Sequence, residues 1–342
     1  MCAAGVAVLA IGGVATTAVA KSHTAKATDI CVLLPDTKSS VRWETADRPY
    51  LAKAFKAAGL SATIVNAEGD AQKQKTQADT CLNDGAKVLV YTSLDAGSAK
   101  AIQGAAKAKG AKVIDYDRLN VGGSAAVYVS FDNVAVGRLM GEGIAADLTA
   151  RGTSKPVIAY LNGGPTDNNA TLFKQGYAGV LDKWIKSGKA TKGPDQAVPG
   201  WDNGKARTIF EGMLAKTGNK IDAVAAANDG LGNAVIAALK AKKLKPIPVS
   251  GQDATSQGVQ NIISGWQTGT VYKSIRAEAA AAAKAAIALV KGKAPATTAK
   301  VSGTPSVLLV PVWITKKNYK KLFTDGFLKK SDVCNGTYAK YC

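Results

Sequence analysis

Histidine is almost absent from this sequence, since His23 is the only one among 342 residues. A chain so poor in histidine cannot assemble a Ser-His-Asp or Cys-His nucleophilic centre, and it lacks the commonest metal ligand. Paired carboxylates could still hydrolyse a glycosidic bond, and Asp117, Asp167 and Asp253 are the candidates. The Arg, Lys and Asn residues around them would keep these acids ionised, whereas a general acid needs a raised pKa. We therefore expect a protein that is not an enzyme.

Aromatic residues are scarce, at 6% of the chain, although 46% of the residues are hydrophobic. Ala and Gly are abundant, which is typical of tightly packed α/β layers. A chain of 342 residues is long for one hydrophobic core and comfortable for two lobes.

Acidic residues are few, since the chain has 25 Asp and Glu residues but 44 Lys and Arg residues. The net charge is therefore +19. A surplus of this size can indicate a nucleic-acid partner. The lysines are scattered along predicted helices and the C-terminal tail, however, and no basic run is interleaved with aromatic residues. We interpret them as solvated faces and expect no nucleic-acid partner.

Charged residues are also missing from positions 1–20. Residues 3–19 are small and apolar, and Ala18-Val19-Ala20 forms an A-x-A cleavage site before Lys21. Their Gly, Ala and Thr content is weak for a permanent membrane span. The sequence predicts a signal peptide over 1–20 and a polar leader over 21–29, and hence an exported protein of the periplasm or cell envelope.

Four of the five cysteines remain once the signal peptide is removed: Cys31, Cys81, Cys334 and Cys342. An even number in an exported chain suggests disulfides. Cys31 begins the first predicted strand and Cys81 ends the second helix, so both lie at the amino-terminal edge of a parallel sheet and could be bridged. Cys334 and Cys342 would then close a small loop in the tail, and free buried thiols are the alternative.

From Ile30 onward, short apolar runs alternate with amphipathic segments. This alternation predicts a parallel sheet covered by helices on both faces, and it occurs in two successive halves. The predicted strands cover 30–34, 62–65, 88–91, 112–116, 157–161, 223–227, 247–251, 269–273 and 306–312. The predicted helices include 50–58, 71–83, 96–108, 134–149, 205–216, 231–241, 256–264 and 274–291.

Polar and charged residues follow the carboxyl ends of these strands, where ligands bind in open α/β sheets. The richest stretch is a Gly-Gly-Pro turn over 163–165 that leads into Asp167, Asn168 and Asn169 at a helix start. Other strand ends and one loop carry Arg42, Trp43, Asp117, Arg118, Trp201, Asn228, Asp253 and Lys273. Together they offer donors and acceptors for a ring of hydroxyls and indole faces for the C–H surface of a sugar. Buried charges of this kind must pair, which predicts a wet cleft that closes on its ligand.

Several segments, taken in order, resemble the periplasmic sugar-binding proteins of ABC importers, and most closely the D-xylose-binding branch. The resemblance covers nearly all of residues 30–330. It is carried by YDR at 116–118, SFDN at 130–133, DNNATLF at 167–173, KIDAVAAAND at 220–229, SGQDA at 250–254 and TVYK at 270–273. PDTKSSVRW at 35–43 is instead more similar to multiple-monosaccharide-binding relatives.

The resemblance implies a type I periplasmic binding protein fold, with two Rossmann-like lobes joined by a three-crossing hinge. The implied lobes are 30–131 with 274–302 and 132–273 with 303–325, followed by a tail over 326–342 with a disulfide loop. The crossings are expected near 130–133, 273–274 and 302–305. Trp43 and Trp201 would stack on the sugar. The groups that would bind its hydroxyl or ring oxygens are Arg42, Asp117, Arg118, Asp167, Asn169, Asn228, Asp253 and Lys273.

The function implied by the resemblance is capture of a monosaccharide, D-xylose above all, by a monomer that delivers it to a membrane permease. The multiple-monosaccharide relatives provide the alternative. No metal or cofactor is expected, because no Asp-rich calcium loop is visible. The effector-binding core of a lac-type repressor has the same fold, but it would need a helix-turn-helix where this chain has its apolar export segment. A secreted glycoside hydrolase is the other rival class.

Overall fold

The computed structural model describes residues 1–3 and 28–342. The predicted signal peptide, most of the leader and His23 lie outside the described residues. The strands are β1 Ile30–Leu34, β2 Ala62–Asn66, β3 Val88–Tyr91, β4 Lys112–Tyr116, β5 Val127–Phe131, β6 Val157–Asn162, β7 Thr191–Ala197, β8 Ala223–Ala226, β9 Thr270–Tyr272, β10 Ala299–Val301, β11 Thr304–Leu309 and β12 Val312–Ile314. The helices are α1 Arg48–Ala57, α2 Ala71–Asn83, α3 Ala96–Ala108, α4 Asn133–Ala150, α5 Asn168–Lys186, α6 Asn203–Lys216, α7 Asp229–Ala241, α8 Ser256–Ile263, α9 Ile275–Val290, α10 Lys321–Thr324 and α11 Lys330–Val333.

The first lobe is built on a seven-stranded sheet in the order β10-β11-β5-β4-β3-β1-β2, parallel except for β10. All five residues of β1 are buried because helices cover both faces of the sheet. One face packs against α1 and α9, with Phe55 and Ala282 in its core. The other face packs against α2 and α3, with Ile102 in its core.

The second lobe is centred on β7-β6-β8, which are parallel. Isolated parallel bridges at Val224–Val249 and Gln252–Val271 continue the sheet towards the antiparallel pair β9 and β12. Its core lies between this sheet and α4 to α7, and it includes Phe173 and Phe210. The tail beyond β12 packs as a smaller cluster against α8.

Helices α2 to α9 each begin at a residue whose side chain accepts a hydrogen bond from a backbone N–H of the first turn. Asp, Asn, Ser and Thr are favoured at this position because they satisfy otherwise unpaired donors. The capping residues are Asp70, Asp95, Asp132, Asp167, Asp202, Asn228, Thr255 and Ser274. Two of these capping residues, Asp167 and Asn228, are also predicted site residues, so the same side chain serves both the helix start and the site.

The third crossing between the lobes lies later than the predicted 302–305. Residues 304–309 form β11, which pairs with β5 in the first sheet, and β12 pairs with β9 in the second sheet. The chain therefore crosses at Val310 and Pro311, and the assignment of 303–309 to the second lobe is wrong. A continuous apolar run does not reveal that its two halves join different sheets.

Other strand predictions also differ from the structure, since β5, Val127–Phe131, and the short β10, Ala299–Val301, were not predicted. The predicted strand over 247–251 is reduced to an isolated bridge at Val249. Strand β7 was not predicted, because its sequence, TKGPDQA, is polar and contains Gly193 and Pro194. It lies at the edge of its sheet, where a proline is tolerated, and its pairing with β6 is irregular there.

The structure contains both predicted disulfides, Cys31–Cys81 and Cys334–Cys342. The first fastens α2 to β1 at the amino-terminal edge of the sheet. The second closes the tail, in which Val333 is fully buried.

Replacing both Cys31 and Cys81 by Ala is expected to lower the free energy of unfolding by about 4 kcal/mol, because the unfolded chain recovers the entropy of a long loop. The bridged residues are 50 positions apart, whereas Cys334 and Cys342 are 8 apart. The same double replacement in the tail should therefore cost less, about 2.5 kcal/mol. Urea denaturation of the three proteins measures both values. Equal stability of the wild type and the Cys31/Cys81 variant would contradict the prediction.

Candidate functional site

A small cavity lies between the carboxyl ends of the two sheets, with walls from both lobes. The structure brings all ten predicted site residues to this one cavity. They are Arg42, Trp43, Asp117, Arg118, Asp167, Asn169, Trp201, Asn228, Asp253 and Lys273.

Arg42 lies directly before a π-helical turn, Trp43–Asp47, that joins β1 to α1. Its guanidinium donates from Nε and Nη2 to Asp47, at 2.9 and 2.8 Å. The other nitrogen, Nη1, reaches Asp117 Oδ2 at 2.9 Å, and Nη2 also reaches Glu278 Oε2 at 2.6 Å. A buried guanidinium is thus compensated by three carboxyl groups, as its desolvation requires.

Asp117 directly follows β4, and three cationic side chains surround its carboxylate: Arg42, Arg118 and Lys273. Its Oδ2 lies 3.9 Å from Lys273 Nζ in addition to the bond from Arg42. Burial alone would raise the pKa of Asp117, but the charges of Arg42, Lys273 and Arg118 hold this pKa below its usual range. The carboxylate therefore stays ionised at neutral pH and can accept hydrogen bonds from hydroxyl groups.

Arg118 and Asp167 form an ion pair across the cavity, with Nε 3.2 Å from Oδ2. Asp167 also caps α5 and accepts a hydrogen bond from Trp201 Nε1 at 3.2 Å. Burial raises the pKa of Asp167, against the effect of Arg118. Asp117 and Arg118, although adjacent in sequence, thus have separate ion-pair partners.

The two lobes are in contact at the cavity. Asn169 Nδ2, in α5 of the second lobe, donates to the carbonyl oxygen of Asp117 in the first lobe at 2.8 Å. The ion pairs Arg118–Asp167 and Lys273–Asp117 also join the lobes. This is a closed arrangement in which the site residues are largely shielded from solvent.

Trp43 and Trp201 form aromatic walls, and both are buried, at 3% and 6% exposure. The guanidinium carbon of Arg42 lies 4.4 Å from the ring centre of Trp43, a cation–π contact that fixes the indole. Trp201 packs directly on the Gly-Gly-Pro turn. A Cβ added at Gly163 would lie 2.1 Å from the Trp201 ring, so this position requires glycine.

Three polar atoms at the cavity are buried without a hydrogen-bond partner among the described residues: Arg118 Nε, Gln252 Oε1 and Asp253 Oδ1. Arg118 Nε lies within ion-pair distance of Asp167, and Asp253 Oδ1 lies within ion-pair distance of Lys273. The geometry of these two contacts is not that of a hydrogen bond. Buried polar atoms usually have partners. One donor and two acceptors facing a small cavity suit a ligand that carries several hydroxyls.

Three of the nine non-glycine residues with a positive φ angle in the described chain line this cavity. Asp117, Trp201 and Asp253 have φ angles of 63°, 57° and 89°, in the left-handed region that favours glycine. Such conformations persist where the surrounding structure enforces them, and they are frequent at ligand sites.

The cavity has four further lining residues that the sequence did not single out: Ser39, Ser40, Phe173 and Gln252. Phe173 lies one helical turn after Asn169, so i+4 spacing in α5 could have identified it. Gln252 directly precedes Asp253, and the two serines precede Arg42. Only their positions next to site residues could have identified Gln252 and the two serines, because Gln and Ser are common in ordinary turns.

Asn228 caps α7 by accepting a hydrogen bond from the backbone N–H of Leu231 at 2.8 Å, whereas Asp229 is the first residue of the helix. Asp229 is fully buried and accepts hydrogen bonds from Thr255 N and Gln267 Nε2, each at 2.8 Å. Burial raises the pKa of Asp229 to about 7. It supports the loop that carries Asp253.

Within residues 1–3 and 28–342, no cluster of three or more His, Cys, Asp and Glu side chains could hold a metal ion. Nor does this part of the chain contain a helix long and apolar enough to cross a membrane.

Two α/β lobes that enclose a polar, aromatic-walled cavity define a type I periplasmic binding protein, and the predicted fold is confirmed. The family model of the periplasmic binding protein domain matches residues 30–294. The chain belongs to this family.

Relatives and solved structures agree with this assignment. The chain is 36% identical to the D-xylose-binding periplasmic protein of Escherichia coli (strain K12), over 85% of this chain and 88% of that protein. It is 33% identical to a multiple sugar-binding periplasmic receptor of Rhizobium radiobacter, over 86% and 89%. An ABC transporter solute-binding protein of Clostridium phytofermentans, with bound β-D-glucose, superposes with a TM-score of 0.83 at 30% identity, covering 89% of this chain and 99% of that one.

Proposed function

We propose that this chain is an exported protein that captures a monosaccharide, D-xylose above all, in the cavity between its lobes and delivers it to an ABC permease. The observation that supports this most is the cavity itself, in which paired charges, amides and two indoles face one small space.

The chemistry of the lining suits a sugar. Hydrogen bonds to charged groups contribute about 1.5 to 3 kcal/mol each. A micromolar dissociation constant corresponds to about 8 kcal/mol, so four or five such bonds with stacking on Trp43 and Trp201 suffice. In this proposal Arg42, Asp117, Arg118, Asp167, Asn169, Asn228, Asp253 and Lys273 bind hydroxyl or ring oxygens.

The proposal also covers how the protein works. It is a monomer and a non-enzymatic carrier, in which Asp117 is held ionised by the surrounding cations and accepts hydrogen bonds from the ligand. Residues 30–131 with 274–309 form one moving unit, and 132–273 with 312–342 form the other. Binding closes these units about the three crossings, at Asp132, at Lys273–Ser274 and at Val310–Pro311.

A broader sugar specificity is the second candidate. The glucose-bound relative from Clostridium phytofermentans favours it, as does the similarity to the multiple sugar-binding receptor. D-Glucose differs from D-xylose by one exocyclic hydroxymethyl group, so room for that group in the cavity decides between the two candidates.

Calorimetry and thermal shift with D-xylose, D-glucose, D-galactose, L-arabinose, D-ribose and L-fucose test the proposal. We expect micromolar or tighter binding of D-xylose and at least tenfold weaker binding of the hexoses. Equal binding of glucose or galactose would favour the second candidate, and the absence of binding to any of these sugars would overturn the proposal. Turnover of aryl glycosides that Asp167→Asn abolishes would show an enzyme instead.

A further inference from the structure

Glu278 lies in the first turn of α9 and is fully buried behind the cavity wall. Its Oε2 accepts a hydrogen bond from Arg42 Nη2 at 2.6 Å, and Arg42 is a cavity residue. Its Oε1 has no hydrogen-bond partner in the described part of the chain. A buried carboxyl group that reaches a cavity residue from behind can control how that residue is presented to a ligand.

The surroundings of Glu278 are crowded with charge. Arg42 already donates to two other carboxylates, those of Asp47 and Asp117. The hydroxyl of Tyr116 donates to Asp47 as well. The titratable groups that face Glu278 come from the turn after β1, the end of β4, β5 and the second crossing: Arg42, Asp47, Tyr116, Asp117, Tyr128 and Lys273.

Three ionised carboxylates around one guanidinium are unfavourable in a dry site, so one of them retains a proton more readily than the others. Asp117 is stabilised in its ionised form by three cations. Burial raises the pKa of Glu278 to about 8; Asp117 and Asp47 add to this rise, and Arg42 opposes it. Of the three carboxyl groups around Arg42, Glu278 is therefore the one that takes up a proton most readily.

We propose that Glu278 is a positioning residue whose protonated carboxyl group orients Arg42 towards Asp117 and the ligand, so that loss of this proton weakens ligand binding. The inference rests on the proposed function, because sugar binding is the property that Glu278 tunes. When Glu278 is protonated, its carbonyl oxygen accepts a hydrogen bond from Arg42 Nη2, and Arg42 Nη1 remains free to donate to Asp117. In the ionised state, it competes with Asp117 for the same guanidinium.

Calorimetric titration of D-xylose into the wild type, Glu278→Gln and Glu278→Ala at pH 6, 7, 8 and 9 tests this. A glutamine side chain resembles the protonated acid, because its amide oxygen can accept from Arg42 but it carries no charge. At pH 7 we expect Glu278→Ala to weaken binding about 30-fold and Glu278→Gln to recover most of that loss. The wild-type affinity should fall about tenfold between pH 7 and 9, and that of Glu278→Gln should stay constant.

Glu44→Gln is the matched control, because Glu44 lies in the turn beside Trp43 but pairs with Arg48 and Asn66 rather than with Arg42. It should keep the wild-type pH profile. If Glu278→Ala does not fold, the comparison of the wild type with Glu278→Gln decides alone. Identical pH profiles of those two, or a Glu278→Gln protein that folds but binds as weakly as Glu278→Ala, would overturn this inference only. A wild type that binds none of the sugars overturns the proposed function and this inference together.

Discussion

Trp201→Ala is expected to weaken D-xylose binding at least 100-fold, which corresponds to about 2.7 kcal/mol. The indole forms one wall of the cavity, packs on Gly163 and donates from Nε1 to Asp167. Its loss removes the stacking face and leaves the buried Asp167 carboxylate with one donor fewer. Truncation of a large buried aromatic also costs about 3 to 5 kcal/mol of stability, so affinity is measured by calorimetry well below the unfolding temperature.

Two variants separate stacking from stability. Trp201→Phe keeps an aromatic face but loses the bond to Asp167, so we expect an intermediate loss of affinity. Trp184→Ala is the control, because Trp184 packs on the core of the second lobe and is not among the residues that line the cavity. It should lower the melting temperature and leave the affinity unchanged. Wild-type affinity in Trp201→Ala would remove this residue from the site.

Asp253→Gly should also weaken binding at least 100-fold, and it tests the carboxylate without adding backbone strain. Asp253 has a φ of 89°, which glycine adopts freely and alanine does not. The variant removes the carboxylate that lies 3.2 Å from Lys273 Nζ and offers Oδ1 to the cavity. Loss of one or two charge-assisted hydrogen bonds to the sugar accounts for the expected effect. Calorimetry with D-xylose measures it.

Asp253→Asn should give a smaller loss, because asparagine tolerates the same backbone conformation and keeps one acceptor oxygen. Lys243→Gly is the control for relief of backbone strain, since Lys243 has a φ of 56° on an exposed turn. It should stabilise the protein slightly and leave sugar binding unchanged. A dissociation constant for Asp253→Gly within twofold of the wild type would contradict the assigned role.

The sequence revealed the strand ends because each combines a strong apolar run with an abrupt change to polar residues. That pattern placed polar residues at the strand ends, and the resemblance to sugar-binding proteins selected the ten predicted residues among them and implied the first two crossings. The third crossing was misplaced, because Val307–Leu309 and Val312–Ile314 are equally apolar and the partner of each strand lies elsewhere in the chain. Strand β7 had no apolar signal, since it is a half-exposed edge strand.

The contacts of Glu278 and Asp47 with Arg42 could not be predicted from the sequence, for a different reason. Glu278 and Arg42 are 236 positions apart, and Glu278 lies within an Ala-rich helix whose pattern indicates only packing. Asp47 likewise resembles an ordinary helix-start residue until Arg42 and Tyr116 are seen to contact it. Such contacts depend on how elements pack in three dimensions, which residue type and spacing do not encode.

The pairing of charges at the cavity limits how this protein can diverge towards new ligands. Arg42, Asp117, Lys273 and Asp253 are linked in a continuous series of ion pairs, so replacing one member leaves a buried charge without its counterpart. Such a loss costs about 3 to 5 kcal/mol, and a lineage would need compensating changes in the same series. The neutral residues Ser39, Ser40 and Gln252 carry no such penalty. Divergence in sugar preference should therefore accumulate at these positions, while the charged series is inherited as a unit.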